Sequence, residues 1–195
     1  MSTLAPPPPK RSARKGWTVE EFHEVYSSPE LKARRPYLIR GTVWDQGEMN
    51  PPHANCLEAL VVLFVQLFAT EFRVRCQLPL VFGLDTDPMP DLCLIRKRAD
   101  AERGTHPTSA ELVIEVSDTT LFEDRTTKAE LYATAGIAEY WIVDLNSSVL
   151  LVFRDPQPLP EGSHAYRSQR TLDRGEEIAP LAKPEAIVRV ADLLP

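Results

Sequence analysis

E-L-V-I-E-V-S-D, residues 111–118, decides how the rest of the chain is read. Period-2 alternation puts Val113, Glu115 and Ser117 on one side of a strand and Leu112, Ile114 and Val116 on the other. The second set is wholly apolar, so Leu112 to Val116 reads as a central strand whose other face is interrupted by a carboxylate. Upstream, Pro90-Asp91 opens a short apolar run, Leu92 to Ile95, and sets a second acid at the lip of a neighbouring strand. Downstream, residues 120–136 carry a helical stripe of Lys128, Leu131, Tyr132 and Ala135, with Gly136 as the stop. The chain then returns as a strand, Tyr140 to Asp144.

Further from that centre, Thr18 and Glu21 make a T-x-x-E capping box for a first helix, and Trp17 is placed to staple onto Phe22. Tyr37 to Trp44 and Gln46 to Met49 read as two short strands around a turn near Asp45. Asn50 followed by Pro51 and Pro52 starts a long helix to about Phe72. Its most apolar run, Leu57 to Ala69, is shorter than the ~20 residues a bilayer requires, so it reads as a buried helix and not a membrane span. Phe72 to Phe82 alternates as a half-buried strand with Gln77 directed away from the core. Val149 to Arg154 and Ala165 to Thr171 add strands, and Ile187 to Leu194 ends the chain as a strand or helical tail. This order predicts an α/β fold with a central mixed β-sheet flanked by helices.

The 195 residues, 43% hydrophobic and 26% charged, fit one domain over residues 16–195. Ahead of it, Pro6 to Pro9 followed by Lys10, Arg11, Arg14 and Lys15 predict a disordered, proline-rich basic tail over residues 1–15. Cys56, Cys76 and Cys93 have no metal-binding or paired spacing and read as buried thiols in a reducing compartment. With no apolar h-region at the N-terminus, the expected location is cytoplasmic. The net charge of -6 does not favour nucleic acid, although Lys32-Arg34-Arg35 and Arg96-Lys97-Arg98 could supply a basic rim.

Two acids at the start and centre of adjacent strands, with a lysine following, suit divalent-metal phosphodiester chemistry. Each residue also has a plainer reading. Asp91 can be a turn acid, Glu115 a strand residue paired to an arginine, and Lys128 the partner of Asp124 in a surface i,i+4 pair. His53 in the first turn of the long helix reads as a surface or capping residue, and Asp85 and Asp87 as turn residues beside Gly83 and Pro88. Ser117, Ser147, His106 and His164 lack a nucleophile elbow.

The order Asp91, Glu115, Lys128, closed by K-A-E-L-Y-A-T-A-G-I-A-E-Y-W-I-V-D, resembles the Uma-two family within the PD-(D/E)xK nuclease superfamily. The likeness runs from about Tyr37 to the C-terminus and takes in His53, Gln77, Pro79 and Pro90-Asp91. It implies a restriction-endonuclease-like core and a metal-dependent endonuclease acting on DNA. It also implies Mg²⁺, or Mn²⁺ in its place, held by Asp91, Glu115 and the Val116 carbonyl, and it allows a homodimer. The family pattern sets its lysine two residues after the acid, where this chain has Ser117, so the resemblance assigns the cationic role to Lys128 on the following helix. Gln77, His53, Ser117 and Asp124 are the expected supporting residues. Two other readings stand beside it: a catalytically weakened nucleic-acid or protein-binding module on the same fold, and a metal-dependent hydrolase of a small phosphate.

Overall fold

The computed structural model describes residues 16–26, 28, 35–47, 49–97, 104–160 and 162–194. The expected tail over residues 1–15 lies outside them. Thr18 opens α1 (Val19–Val25) with the predicted reciprocal capping box to Glu21. The Trp17 ring meets Tyr26 edge-on, with centroids 6.4 Å apart. β1 (Pro36–Ile39) and β2 (Thr42–Asp45) form a hairpin whose turn is Arg40-Gly41, not Asp45 as expected. Both turn residues have positive φ, 49° and 72°, the twist a two-residue hairpin needs. Gly41 is required on a second count: a Cβ there would lie 2.8 Å from the Gly16 backbone.

Asn50 caps α2 (Pro51–Phe68), which stops short of the expected Phe72 because the chain turns at residues 69–71 into β3 (Phe72–Cys76). By length and hydropathy α2 could cross a bilayer, yet its Cys56, Leu60, Phe64 and Phe68 stripe packs onto the sheet. β3 is half the expected length: Gln77 takes a left-handed φ of 49° and ends it. β4 (Leu92–Arg96), β5 (Leu112–Ser117), β6 (Glu139–Asp144), β7 (Val149–Pro158) and β8 (His164–Asp173) complete a six-stranded sheet in the order β3-β4-β5-β6-β7-β8. Only β5 and β6 pair in parallel, as the intervening helix requires; the other neighbours are antiparallel.

That connecting helix, α3, spans residues 121–134. It is α-helical at Leu121–Glu123, π-helical at Asp124–Lys128 and α-helical again at Ala129–Thr134. Gly136, at φ 73°, stops it as predicted. The alternation read from β5 holds. Leu112, Ile114 and Val116 join Trp141, Val143 and the α2 stripe on one face, while Val113 joins Tyr132, Ala133, Tyr140 and Ile142 under α3 on the other. After β8, β9 (Glu177–Ile178) and β10 (Val188–Arg189) form a small hairpin, and a 3-10 turn at Val190–Asp192 closes the α2 side. The C-terminal segment therefore has both of the conformations considered for it.

Candidate active site

The β4–β5 register pairs Leu92 with Ile114 and Cys93 with Val113. One step further, Asp91 stands opposite Glu115, on the α3 side shared by Cys93 and Val113. The two acids are 3% and 2% exposed. Each carboxylate is fixed by its own set of donors. Asp91 Oδ1 accepts from Gln77 Nε2 at 3.0 Å and lies 3.1 Å from His53 Nε2, and Oδ2 accepts the Val116 backbone N–H at 2.9 Å. The left-handed turn at Gln77 serves this contact, since its backbone N–H also donates to the Pro90 and Asp91 carbonyls. His53 is held in the first turn of α2 by its N–H to Asn50 Oδ1, 3.0 Å.

Glu115 faces α3. Tyr132 Oη donates to its Oε1 at 2.7 Å, and Lys128 Nζ lies 3.1 Å from Oε2. The same ammonium is 2.9 Å from Asp124 Oδ1, and the Thr120 hydroxyl donates to Asp124 Oδ2 at 2.7 Å. The π-helical turn is part of this arrangement. The Ala129 N–H reaches back five residues to the Asp124 carbonyl, which widens the helix where Asp124 and Lys128 both turn inward. Lys128 thus makes the i,i+4 pair and the pair to the strand acid together. Its side chain keeps 18% exposure while both partners are buried.

Three carboxylates now surround one lysine. Burial pushes Glu115 up to about 7, because the Lys128 charge does not offset burial together with the charges of Asp91 and Asp124. Burial opposes ionisation of Asp91 as well, but hydrogen bonds from His53 and Gln77 and the Lys128 charge hold it below the ordinary range. Burial works against the Lys128 charge, yet Glu115, Asp124 and Asp91 together keep the ammonium above its usual value. His53 is likewise lowered by burial and raised more by Asp91.

Asp91, Glu115, Val116, His53, Gln77, Lys128 and Tyr132 line one cleft, whose mouth includes Arg35, Asn50 and Asp118. Among the described residues no three of His, Cys, Asp or Glu form a metal cage. Mg²⁺ does not need one: it is held by one or two carboxylates, keeps several waters and takes the rest of its shell from substrate phosphate. Asp91 Oδ2 and both Glu115 oxygens each have one of two lone pairs engaged, so the donor set and its surplus negative charge fit such a cation.

The remaining expected residues are placed as follows. Asp124 supports Lys128 from behind and does not line the cleft, and Ser117 is fully buried outside it, its Oγ without a hydrogen-bond partner among the described residues. Val116 contributes its N–H to Asp91. Of the basic segments, Arg35 reaches the cleft, residues 32–34 and 98–103 lie outside the described residues, and Arg96 and Lys97 do not flank it. They sit at the far end of β4, where Arg96 pairs with Glu111 and covers Phe72 while Lys97 donates to Ala69. Sequence reasoning treated Tyr132 as core and missed its hydroxyl; the available signal was its i+4 spacing from Lys128 on one helical stripe. It also missed Asn50 bonding Asp118 at the cleft mouth, which pairs a helix cap with the residue after β5.

The family model of Uma2, described as "Putative restriction endonuclease", matches residues 19–191. The chain belongs to the Uma2 family. The Uma2 fold is also that of a crystal structure of a "putative nuclease belonging to DUF820" from Anabaena variabilis. That protein is 18% identical, with a TM-score of 0.68 over 91% of this chain and 97% of the other. The type IIG restriction endonuclease BpuSI aligns at 19% identity and a TM-score of 0.36, over 56% of this Uma2 chain and 12% of its own length. No curated protein matches.

Proposed function

We propose that this Uma2 protein is a divalent-metal-dependent endonuclease that hydrolyses DNA phosphodiester bonds, with Asp91, Glu115 and Lys128 as its catalytic residues. The observation that carries the reading is the Lys128 ammonium 3.1 Å from Glu115, which stands across the strand pair from Asp91 in one cleft. Asp91, Glu115 and the Val116 carbonyl would hold Mg²⁺ or Mn²⁺. Such a cation supplies charge neutralisation at the scissile phosphate and a water of lowered pKa. Asp91 is kept anionic and fixed in rotation by Gln77, His53 and the Val116 N–H, while Tyr132 and Lys128 fix Glu115. Lys128 presents a cation where negative charge grows on the phosphate oxygens, the role given in the usual pattern to the residue at Ser117. The migrated lysine is delivered by the π-helical turn. The family description and the Arg35 side chain at the cleft support DNA as the substrate.

Calorimetric titration with Mg²⁺ and Mn²⁺, run beside plasmid nicking, tests the proposal. Metal binding together with nicking, both lost in Asp91→Asn, is the expected result. Neither metal binding nor nicking would make the chain a binding module on a nuclease fold. Metal binding without nicking would turn the reading towards a small-phosphate hydrolase.

A further inference from the structure

A second cleft adjoins the first, and it contains a buried acceptor with no donor. Phe22 of α1 and Tyr26 at its C-terminal cap line it, with ring centroids 4.9 Å apart, together with His23 and His106, whose rings meet edge-on at 5.7 Å. Asp87, 2% exposed, is its carboxylate. Oδ2 is 2.6 Å from His23 Nε2, while Oδ1, buried as well, has no hydrogen-bond partner among the described residues. Buried acceptors are normally satisfied, so this oxygen points to a missing donor. Arg35, Gln77 and Met89 line both clefts, and Gln77 donates to Asp91, so the two are separated by the width of a residue.

Aromatic walls around a single carboxylate acceptor suit a nucleobase: the half-buried Tyr26 and the exposed His23 and His106 rings offer stacking faces to any base, and the carboxylate accepts from an exocyclic amino group. Thymine offers only an N3–H between two carbonyl oxygens that would face the carboxylate. We propose that the cleft of Phe22, His23, Asp87 and His106 is a nucleobase subsite selecting bases with an exocyclic amino group. It receives the nucleoside next to the phosphodiester held at Asp91 and Glu115, and in that respect it rests on the nuclease reading.

The test titrates the full-length, metal-free protein with the 5′-monophosphates of deoxyguanosine, deoxyadenosine, deoxycytidine and thymidine, and with inorganic phosphate, following the His23 and His106 ring signals by NMR. The three amino-bearing nucleotides should bind about tenfold tighter than thymidine monophosphate. Asp87→Asn keeps the backbone pairing of residue 87 with Leu38 and turns the unpartnered acceptor into a donor, so the preference should vanish or invert. His106→Ala, at an exposed loop position, should weaken all four nucleotides and leave their order unchanged. This keeps the test decisive if the Asp87 variant does not fold. Equal affinities for the four, nucleotide affinities no better than that of phosphate, or an order untouched by Asp87→Asn would each overturn the subsite. Nicking in Mg²⁺ without any nucleotide preference would remove the subsite alone. Nucleotide preference without nicking would uphold the subsite and remove the chemistry.

Discussion

Glu115 on β5 and Glu139 on β6 stand on neighbouring strands of one sheet, both buried and both ion-paired, yet they face opposite sides and have different surroundings. Glu139 is 2.5 Å from Arg154, accepts the Trp141 indole N–H at 2.8 Å and the Leu181 backbone N–H at 2.7 Å, and lies beside the α2 core. One acid meets one arginine, and Arg154 spends a further N–H on the Ala179 carbonyl. Glu115 instead shares a single lysine with Asp124, faces Asp91 and opens on a cleft. The closed, charge-matched group ties the C-terminal segment to the sheet. The open group carries more acid than base, the feature on which the proposed cation site rests. The two acids are thus alike in burial and differ in charge balance and access.

The largest expected effect separates the two groups by activity. Glu115→Gln or Asp91→Asn should lower plasmid nicking about 10³-fold while the thermal midpoint moves by only a few degrees, because one of several mutually repelling acids is neutralised. A large fall in midpoint for both would make the pair structural. Arg154→Met should do the reverse. Leaving Glu139 buried and unpaired costs about 3–5 kcal/mol, read as a lower midpoint in denaturant, and the remaining folded protein should nick normally.

The comparison is sharpened by pH. The Glu115 carboxyl releases its proton near 4.5 in the unfolded chain and near 7 in the fold, so between those values the folded state binds more protons. The Glu115 contribution to stability should thus be fully present below pH 4.5 and be lost as pH rises to 7, by up to about 3 kcal/mol in the metal-free protein. Mg²⁺ should flatten that decline and Glu115→Gln should make it shallower, as thermal melts across this range would show. A metal-free protein whose stability is flat or rises through the window would contradict the surplus of acid at the site. Lys128→Met should reduce nicking about 10²-fold with the metal still bound. Undiminished nicking would return Lys128 to the role of a helix-surface ion pair with Asp124.

Much of this was legible locally. Capping at Thr18 and Asn50, the stop at Gly136 and the two faces of β5 depend on neighbours within a few residues, so propensity and periodicity were sufficient. The misread places are those where side-chain spacing and backbone conformation part. The hairpin turn fell at Arg40-Gly41 because two residues with positive φ match strand twist better than the polar Asp45 does. The apolar alternation continued to Phe82, but the chain left the sheet at Gln77, whose left-handed backbone lets it bond Asp91. Arg96 and Lys97 were expected beside the acids and are at the other end of the strand, since β4 runs from Leu92, next to Asp91, to Arg96.

By itself, the sequence determined that Glu115 interrupts an apolar strand, that Asp91 opens the neighbouring one, and that Lys128 shares a helical stripe with Tyr132. These follow from periods of 2 and 3.6 residues and involve no long-range contact. Only the tertiary structure decided that the two acids stand opposite each other, because strand register is a property of two paired segments. It likewise decided that a π-helical turn lets Lys128 serve Asp124 and Glu115 together, and that Glu139 is closed off by an arginine. The number of counter-charges around a buried acid depends on which distant segments pack against it, and one-dimensional spacing does not contain that information.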